Sequence, residues 1–196
     1  MTWVIVGLGN PDEEHVRTRH NAGRQALEYF AKKNDLGDWK EDKKAHAFVV
    51  RGAIGKNLSV CVLPNTYMNK SGSAVQRFVK SVKAAEKLIV VYDELDMPFG
   101  SIKISFDRGS GGHRGIESVT RAVKTKKFTR IRIGISKTYG KGEVQKPQGE
   151  RDVEKFILGE FSVSEFSQLK DVFKQVAAAI GSIVTEGREK AMNTFN

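Results

Sequence analysis

Cysteine, histidine and proline are all scarce in this chain: one, four and four residues among 196. The lone Cys61 excludes a disulfide framework and fits a reducing, cytoplasmic setting. Its neighbours, Leu58-Ser59-Val60-Cys61-Val62-Leu63, make it a small buried hydrophobe. No apolar run approaches the roughly 20 residues of a membrane-crossing helix, so no membrane association is expected. Met1-Thr2-Trp3-Val4-Ile5-Val6 lacks a basic start and reads as a buried strand rather than a secretory signal. There is no His-Glu-x-x-His and no clustered Cys/His pattern, so no metal is expected. No Gly-x-Ser-x-Gly elbow occurs, which leaves Ser71 and Ser110 as caps or loop residues. Repeats and low-complexity tracts are absent. Acidic residues are the minority, 23 against 33 basic, for a net charge of +10. That excess suits a polyanionic partner, although solubility alone is a competing explanation.

What is present alternates between strand and helix patterns. Strands are predicted over residues 2–6, 45–51, 57–63, 88–92, 101–106 and 130–135. Helices are predicted over 22–33, 71–83 and 116–124, and a long one from Ser162. Ser162-Val163-Ser164-Glu165 is a capping box, followed by a stripe of Phe166, Leu169, Val172, Phe173, Val176, Ile180, Ile183 and Val184. Gly52-Ala53-Ile54-Gly55 is the expected hairpin turn. Residues 137–151 are expected to be a mobile loop. The alternation implies one α/β domain over 1–196, a mixed sheet covered by helices on both faces.

Gly7-Leu8-Gly9 follows a strand, as a dinucleotide-binding turn would. The third glycine of that fingerprint is replaced by Asp12, and Asn10-Pro11 interrupts the helix start. The glycines are therefore expected to form a tight turn that presents Asn10. No phosphate-binding lysine loop occurs either. Of the histidines His15, His20, His46 and His113, His20 has the most polar setting, in Thr18-Arg19-His20-Asn21. Imidazole is the side chain best suited to take a proton near neutral pH. Asp93 is expected at the end of a hydrophobic strand, where ligands gather in open α/β sheets. If the strands run parallel, Asn10, His20 and Asp93 converge. Asn69 would donate to a carbonyl or place a water, while Tyr67 and Met68 either pack on a substrate or serve the core. His113, in the glycine-rich stretch 109–115, is either a substrate contact or a surface residue. Lys124, Lys126, Lys127, Arg130 and Arg132, with Lys103 nearby, form a basic cluster suited to phosphate.

Six motifs in order carry a resemblance. They are Gly7-Leu8-Gly9-Asn10-Pro11, Thr18-Arg19-His20-Asn21, Thr66-Tyr67-Met68-Asn69-x-Ser71-Gly72, Asp93-Glu94-Leu95-Asp96-x-Pro98-x-Gly100, Gly111-Gly112-His113-x-Gly115 and Arg130-Ile131-Arg132-Ile133-Gly134-Ile135. Together they resemble the bacterial-type peptidyl-tRNA hydrolases. The resemblance implies a monomeric α/β domain whose mixed, twisted sheet is sandwiched between helices. It implies hydrolysis of the ester joining a peptide to the tRNA 3′ end, with no cofactor, no metal and no DNA partner. By position it makes His20 the base that activates water, Asp93 its orienting partner, and Asn10 and Asn69 the holders of substrate and transition state. Met68, Tyr67 and His113 would line the channel, and Arg132, with Lys103, would meet tRNA phosphate. Four departures stand out: Arg114 where the family has asparagine, His15 for a tyrosine, Asp12 for a glycine and Ser105 for a lysine. Arg114 would clamp an anion or obstruct the channel, and His15 is expected as a further substrate contact. The departures leave a second possibility, a catalytically impaired RNA-binding protein on this scaffold. A third is a hydrolase of another acyl ester or amide that uses no RNA.

Overall fold

The computed structural model describes residues 2–139 and 143–196. Its centre is β1 (Trp3–Gly7), every residue of which is buried. A strand buried on both faces needs apolar residues at successive positions, and Trp3-Val4-Ile5-Val6 supplies them. β1 pairs in parallel with β4 (Asn57–Pro64) on one side and β5 (Leu88–Pro98) on the other. β5 pairs in parallel with β7 (Thr129–Tyr139). Antiparallel strands complete the sheet: β3 (Ala47–Ile54) on β4, β2 (Lys40–Asp42) on β3, and β6 (Ile102–Phe106) and β8 (Glu143–Gln145) on β7. The order is β2-β3-β4-β1-β5-β7-β6, so the sheet is mixed, as the sequence indicated.

Strand alternation feeds two separate cores. Trp3 and Ile5 join Ile89, Val91, Ile131 and Ile133 beneath α1 (Ala22–Lys33) and α5 (Val163–Glu186). Val4 and Val6 join Val90 and Tyr92 beneath α2 (Ser71–Val75) and α3 (Arg114–Val123). Helices thus cover both faces. Two more, α4 (Glu150–Ile157) and α6 (Arg188–Phe195), complete the described chain.

Several expectations change. The predicted helix over 71–83 is helical only to Val75: Arg77 and Phe78 donate to Ala74 and Val75, three residues back, and a separate 3-10 turn over Ala84–Lys87 follows, with Ser81 accepting the Ala84 N–H. Val82 is consequently exposed. The β3–β4 turn is Gly55-Lys56, since Ile54 pairs with Asn57 and Gly55 takes φ +58°. Gly52 lies inside β3, where a Cβ would come within 2.8 Å of the Leu36 side chain. Residues 140–142 of the predicted 137–151 loop lie outside the described residues. The rest of that stretch holds the end of β7, β8 and the start of α4. Phe166 lies half-exposed beneath the Arg17 guanidinium, although the rest of the α5 stripe is buried.

The first glycines act through proximity rather than through a tight turn. Gly7 and Gly9 have no positive φ. A Cβ on Gly7 would sit 2.7 Å from the Gly23 carbonyl oxygen, and one on Gly23 would sit 2.2 Å from the Val91 carbonyl oxygen. Side chains there would push α1 away from β1 and β5. A second tie joins the start of α1 to the far end of the chain. Buried Arg19 donates to Glu165 Oε2 at 2.8 Å and to the Glu160 carbonyl, and its guanidinium lies over the Phe156 ring. Glu165 also closes the capping box of α5, accepting the Ser162 N–H at 2.7 Å. Burial pushes the Glu165 carboxyl up, but the Ser162 hydrogen bonds and the Arg19 charge outweigh it, and the net effect is a lowered pKa.

Two outcomes follow from this packing. Gly23→Ala should destabilise the fold by about 1–3 kcal/mol or more in urea unfolding, the usual cost of overpacking a core. An unchanged midpoint would contradict the contact. Glu165 should contribute stability fully above its unfolded pKa of about 4.3, and that contribution should disappear as pH falls through the lower folded value. Glu165→Gln should lose this part of the acid dependence. Superimposable stability profiles of the two proteins between pH 6 and 3 would contradict it.

Candidate active site

Parallel β1, β4 and β5 end on one side of the sheet, and the loops that leave them meet there. They open into a cleft of about 640 Å³. One wall comes from Tyr67, Met68, Asn69 and Lys70 after β4, with Gly111, Gly112, His113 and Arg114 at the start of α3. The opposite wall is α4, through Glu150, Val153, Glu154 and Ile157, with Leu158 at its C-cap. Asn10, His15, His20, Asp93, Glu94 and Leu95 form the floor and rim.

The deepest polar group is Asp93, 3% exposed. It does not end β5 but sits within it, opposite Ile133, just before a register shift between Glu94 and Pro98. The strand continues because partners satisfy both acidic side chains. Asp93 meets His20 Nδ1 at 2.9 and 3.0 Å, and its Oδ1 meets His113 Nε2 at 3.0 Å. Glu94 Oε2 accepts from Arg132 Nε at 2.9 Å. Burial alone would raise the Asp93 carboxyl. The two imidazoles, through charge and hydrogen bonding, outweigh burial and hold it well below the usual carboxylate range. An ionised Asp93 accepts the proton on His20 Nδ1, which leaves His20 Nε2 as the basic nitrogen.

Asn10 is buried and locked on three sides. Its Oδ1 accepts the Met68 N–H at 2.9 Å, its own N–H donates to Asn21 Oδ1 at 2.8 Å, and its carbonyl accepts from Asn21 Nδ2 at 3.0 Å. With Oδ1 committed, the amide nitrogen remains available as a donor in the cleft. Asn21 escaped the sequence reading, although the Asn beside His20 was visible in its motif. Met68 is buried beneath the cleft, whereas Tyr67 and Asn69 are exposed on its rim. His15 lines the cleft, with Nδ1 3.6 Å from Asp12 Oδ2. Arg114 reaches across the mouth to an ion pair with Glu150.

The structure thus gathers Asn10, His15, His20, Tyr67, Met68, Asn69, Asp93, His113 and Arg114 around one cleft. Arg132 and Lys103 stay outside it. They are directly opposed on β7 and β6, and Arg132 adjoins the cleft only through Glu94. Arg130 leaves the proposed basic surface altogether. It is 1% exposed, donates to the Gly109 carbonyl at 2.7 Å and lies over the Phe128 ring. Helix α4 was missed, although Val153, Phe156 and Ile157 fall at helical spacing and the last two pack, partly buried, against the core.

Among the described residues two donor groups could hold a metal: Asp12, Glu14 and His15, and the more buried His20, Asp93 and His113. Here the nitrogens that face the carboxylate lie at hydrogen-bonding distance from it, so a cation would have to displace both N–H donors. The trio is better suited to proton handling than to ligation. Among the described residues no helix is long and apolar enough to cross a membrane.

The peptidyl-tRNA hydrolase family model matches residues 4–196. A peptidyl-tRNA hydrolase of Syntrophotalea carbinolica is 37% identical over 194 residues, covering 98% of this chain and 96% of that protein. One of Mycobacterium ulcerans is 40% identical over 193 residues, covering 97% and 95%. The crystal structure of peptidyl-tRNA hydrolase from Acinetobacter baumannii superposes with a TM-score of 0.87 at 34% identity, covering all of this chain and 94% of that one. On sequence and fold alike, this chain belongs to the peptidyl-tRNA hydrolase family.

Proposed function

We propose that the cleft hydrolyses peptidyl-tRNA through a water activated by His20. The observation that carries this reading is the buried Asp93 carboxylate on His20 Nδ1, which leaves Nε2 as the base. His20 Nε2 takes a proton from water as the oxygen attacks the ester carbonyl carbon. The resulting imidazolium is stabilised by Asp93. The tetrahedral oxyanion accepts from the Asn10 amide, already oriented by Met68 and Asn21, and from Asn69. As the intermediate collapses, the C–O bond to the terminal ribose breaks and the proton on Nε2 passes to that oxygen. Free tRNA and a peptide carboxylic acid result, and His20 is returned to its starting state.

The peptide would run between Met68 and Tyr67 on one wall and Val153 and Ile157 of α4, with Leu158 just after it, on the other. His15 and Arg114 would bound it at the rim. Arg132 and Lys103, adjacent across β6 and β7, would meet tRNA phosphate outside the cleft, aided by the net charge of +10. The protein would act as a monomer in the cytoplasm on RNA, without DNA, membrane or cofactor. The departures that motivated an inactive RNA-binding reading lie at the rim, in Arg114 and His15, or on the sheet, in Ser105. None of them disturbs the His20–Asp93 contact.

His20→Ala should lower kcat on peptidyl-tRNA by about 10²–10⁴-fold with little change in KM, the range for a lost general base. Full activity in that variant would overturn the mechanism. The joint variant Arg132→Ala and Lys103→Ala should weaken tRNA binding and flatten its decline with salt. An unchanged slope would place the phosphate contacts elsewhere. Arg114→Asn should raise kcat/KM by a few-fold, because exposed ion pairs such as Arg114–Glu150 contribute only about 0–1 kcal/mol. A fall would mean that Arg114 binds substrate directly.

A further inference from the structure

Asp93 has two imidazole partners, and the mechanism above uses only one. His113 was expected as a substrate contact, yet both its ring nitrogens are engaged by the protein. Nδ1 accepts the Gly115 N–H at 3.2 Å and the Ile116 N–H at 3.3 Å, which makes His113 the N-cap of α3. A nitrogen that accepts two N–H groups carries no proton of its own. The single ring proton is therefore on Nε2, 3.0 Å from Asp93 Oδ1. We infer that His113 is a positioning residue for hydrolysis: the first turn of α3 holds it as a fixed N–H donor that secures the Asp93 carboxylate for His20. The inference rests on the assignment of His20 as the base.

The case is one of burial and geometry. A carboxylate with 3% exposure loses its water and must be compensated by donors. His20 Nδ1 lies at nearly equal distance from both Asp93 oxygens, 3.0 and 2.9 Å, so this contact alone leaves the carboxylate free to pivot. A second donor on Oδ1 fixes its plane. Removing that donor would favour the protonated acid, which is a poorer acceptor for the His20 N–H.

The ring of His113 is itself held in place. It stands edge-on to Tyr92 at 4.8 Å and tilted against His20 at 5.0 Å. Gly115 makes room for it, since a Cβ there would lie 3.0 Å from His113 Cε1 and 2.5 Å from Met68 Sδ. The Arg114 side chain next to it turns to Glu150 rather than to Asp93. The glycine-rich stretch thereby joins the catalytic pair through a helix terminus.

Two substitutions separate the functions of the two nitrogens. His113→Asn keeps an oxygen at the position of Nδ1, and asparagine is among the best N-cap residues, but its side chain is too short to reach Asp93. His113→Gln can extend an amide N–H toward Asp93 but loses the cap. Each would be purified and assayed on peptidyl-tRNA for kcat, KM and thermal midpoint, beside His20→Ala. The expected result is crossed: His113→Asn keeps its thermal midpoint and KM but loses about tenfold or more in kcat, on the scale of a hydrogen bond to a charged group. His113→Gln loses thermal stability but retains more kcat than His113→Asn. If kcat instead follows stability in both variants, His113 is only a helix cap and the inference falls. If KM rises while kcat holds, His113 is a substrate contact and the inference also falls. A fully active His20→Ala overturns the parent mechanism. An inactive His20→Ala beside a fully active His113→Asn overturns this inference alone.

Discussion

A single buried carboxylate organises this protein. Asp93 lies within a central strand, away from water, and in such a place a charge persists only if the fold supplies its partners. It does so from two directions: His20 arrives from the turn before α1, and His113 from the cap of α3. The surrounding architecture can be understood as the means of bringing these two segments to one strand. Gly23 lets α1 approach the Val91 carbonyl, two residues from Asp93. Gly115 lets the cap of α3 close over Met68. Each glycine gives up side-chain packing in exchange for proximity.

The sheet topology decides which loops can share the cleft. Because β1 is central and parallel to both β4 and β5, the loops bearing Asn10 and Asn69 leave the sheet on the side where Asp93 lies within β5. The two asparagines arrive in different states. Asn10 is buried and locked by Met68 and Asn21, whereas Asn69 is exposed at the rim. A locked amide suits charge that develops in a transition state, since it needs no reorganisation. An exposed one suits a substrate that must enter and leave. The far wall, α4, is tied back by Arg19, whose guanidinium binds the carbonyl of Glu160 and lies over Phe156. The residue next to His20 therefore also holds the helix that faces it.

Much of the fold was legible because period and burial agreed. β1 and the stripe of α5 follow directly from apolar spacing, and the capping box placed the start of α5 near Ser162, its N-cap. The failures have physical causes. The helix predicted through residue 83 stops at Val75, where the backbone tightens to bonds three residues back at Arg77 and Phe78, a change that apolar spacing does not register. α4 carries a short stripe of Val153, Phe156 and Ile157, but at eight residues and between charged neighbours it was too brief to stand out from the loop before it. Asp93 and Glu94 looked like a loop because two acidic residues are unwelcome in a sheet interior, and nothing local reveals that histidines and an arginine will neutralise them. Arg130 looked like one more surface cation, yet it is enclosed against Phe128.

The sequence by itself determined the chemical inventory and its order along the chain: the strands, the motifs, the scarce histidines, the basic excess and through them the family. Those properties are local or compositional, and they survive in an extended chain. Only the tertiary structure decided that one carboxylate is shared by two imidazoles, that Asn10 is locked while Asn69 is not, and that Arg114 meets Glu150 across the mouth of the cleft. Each of these joins residues distant in sequence. Their meeting depends on strand order and on how closely helices can approach the sheet, and no single segment of the chain encodes either.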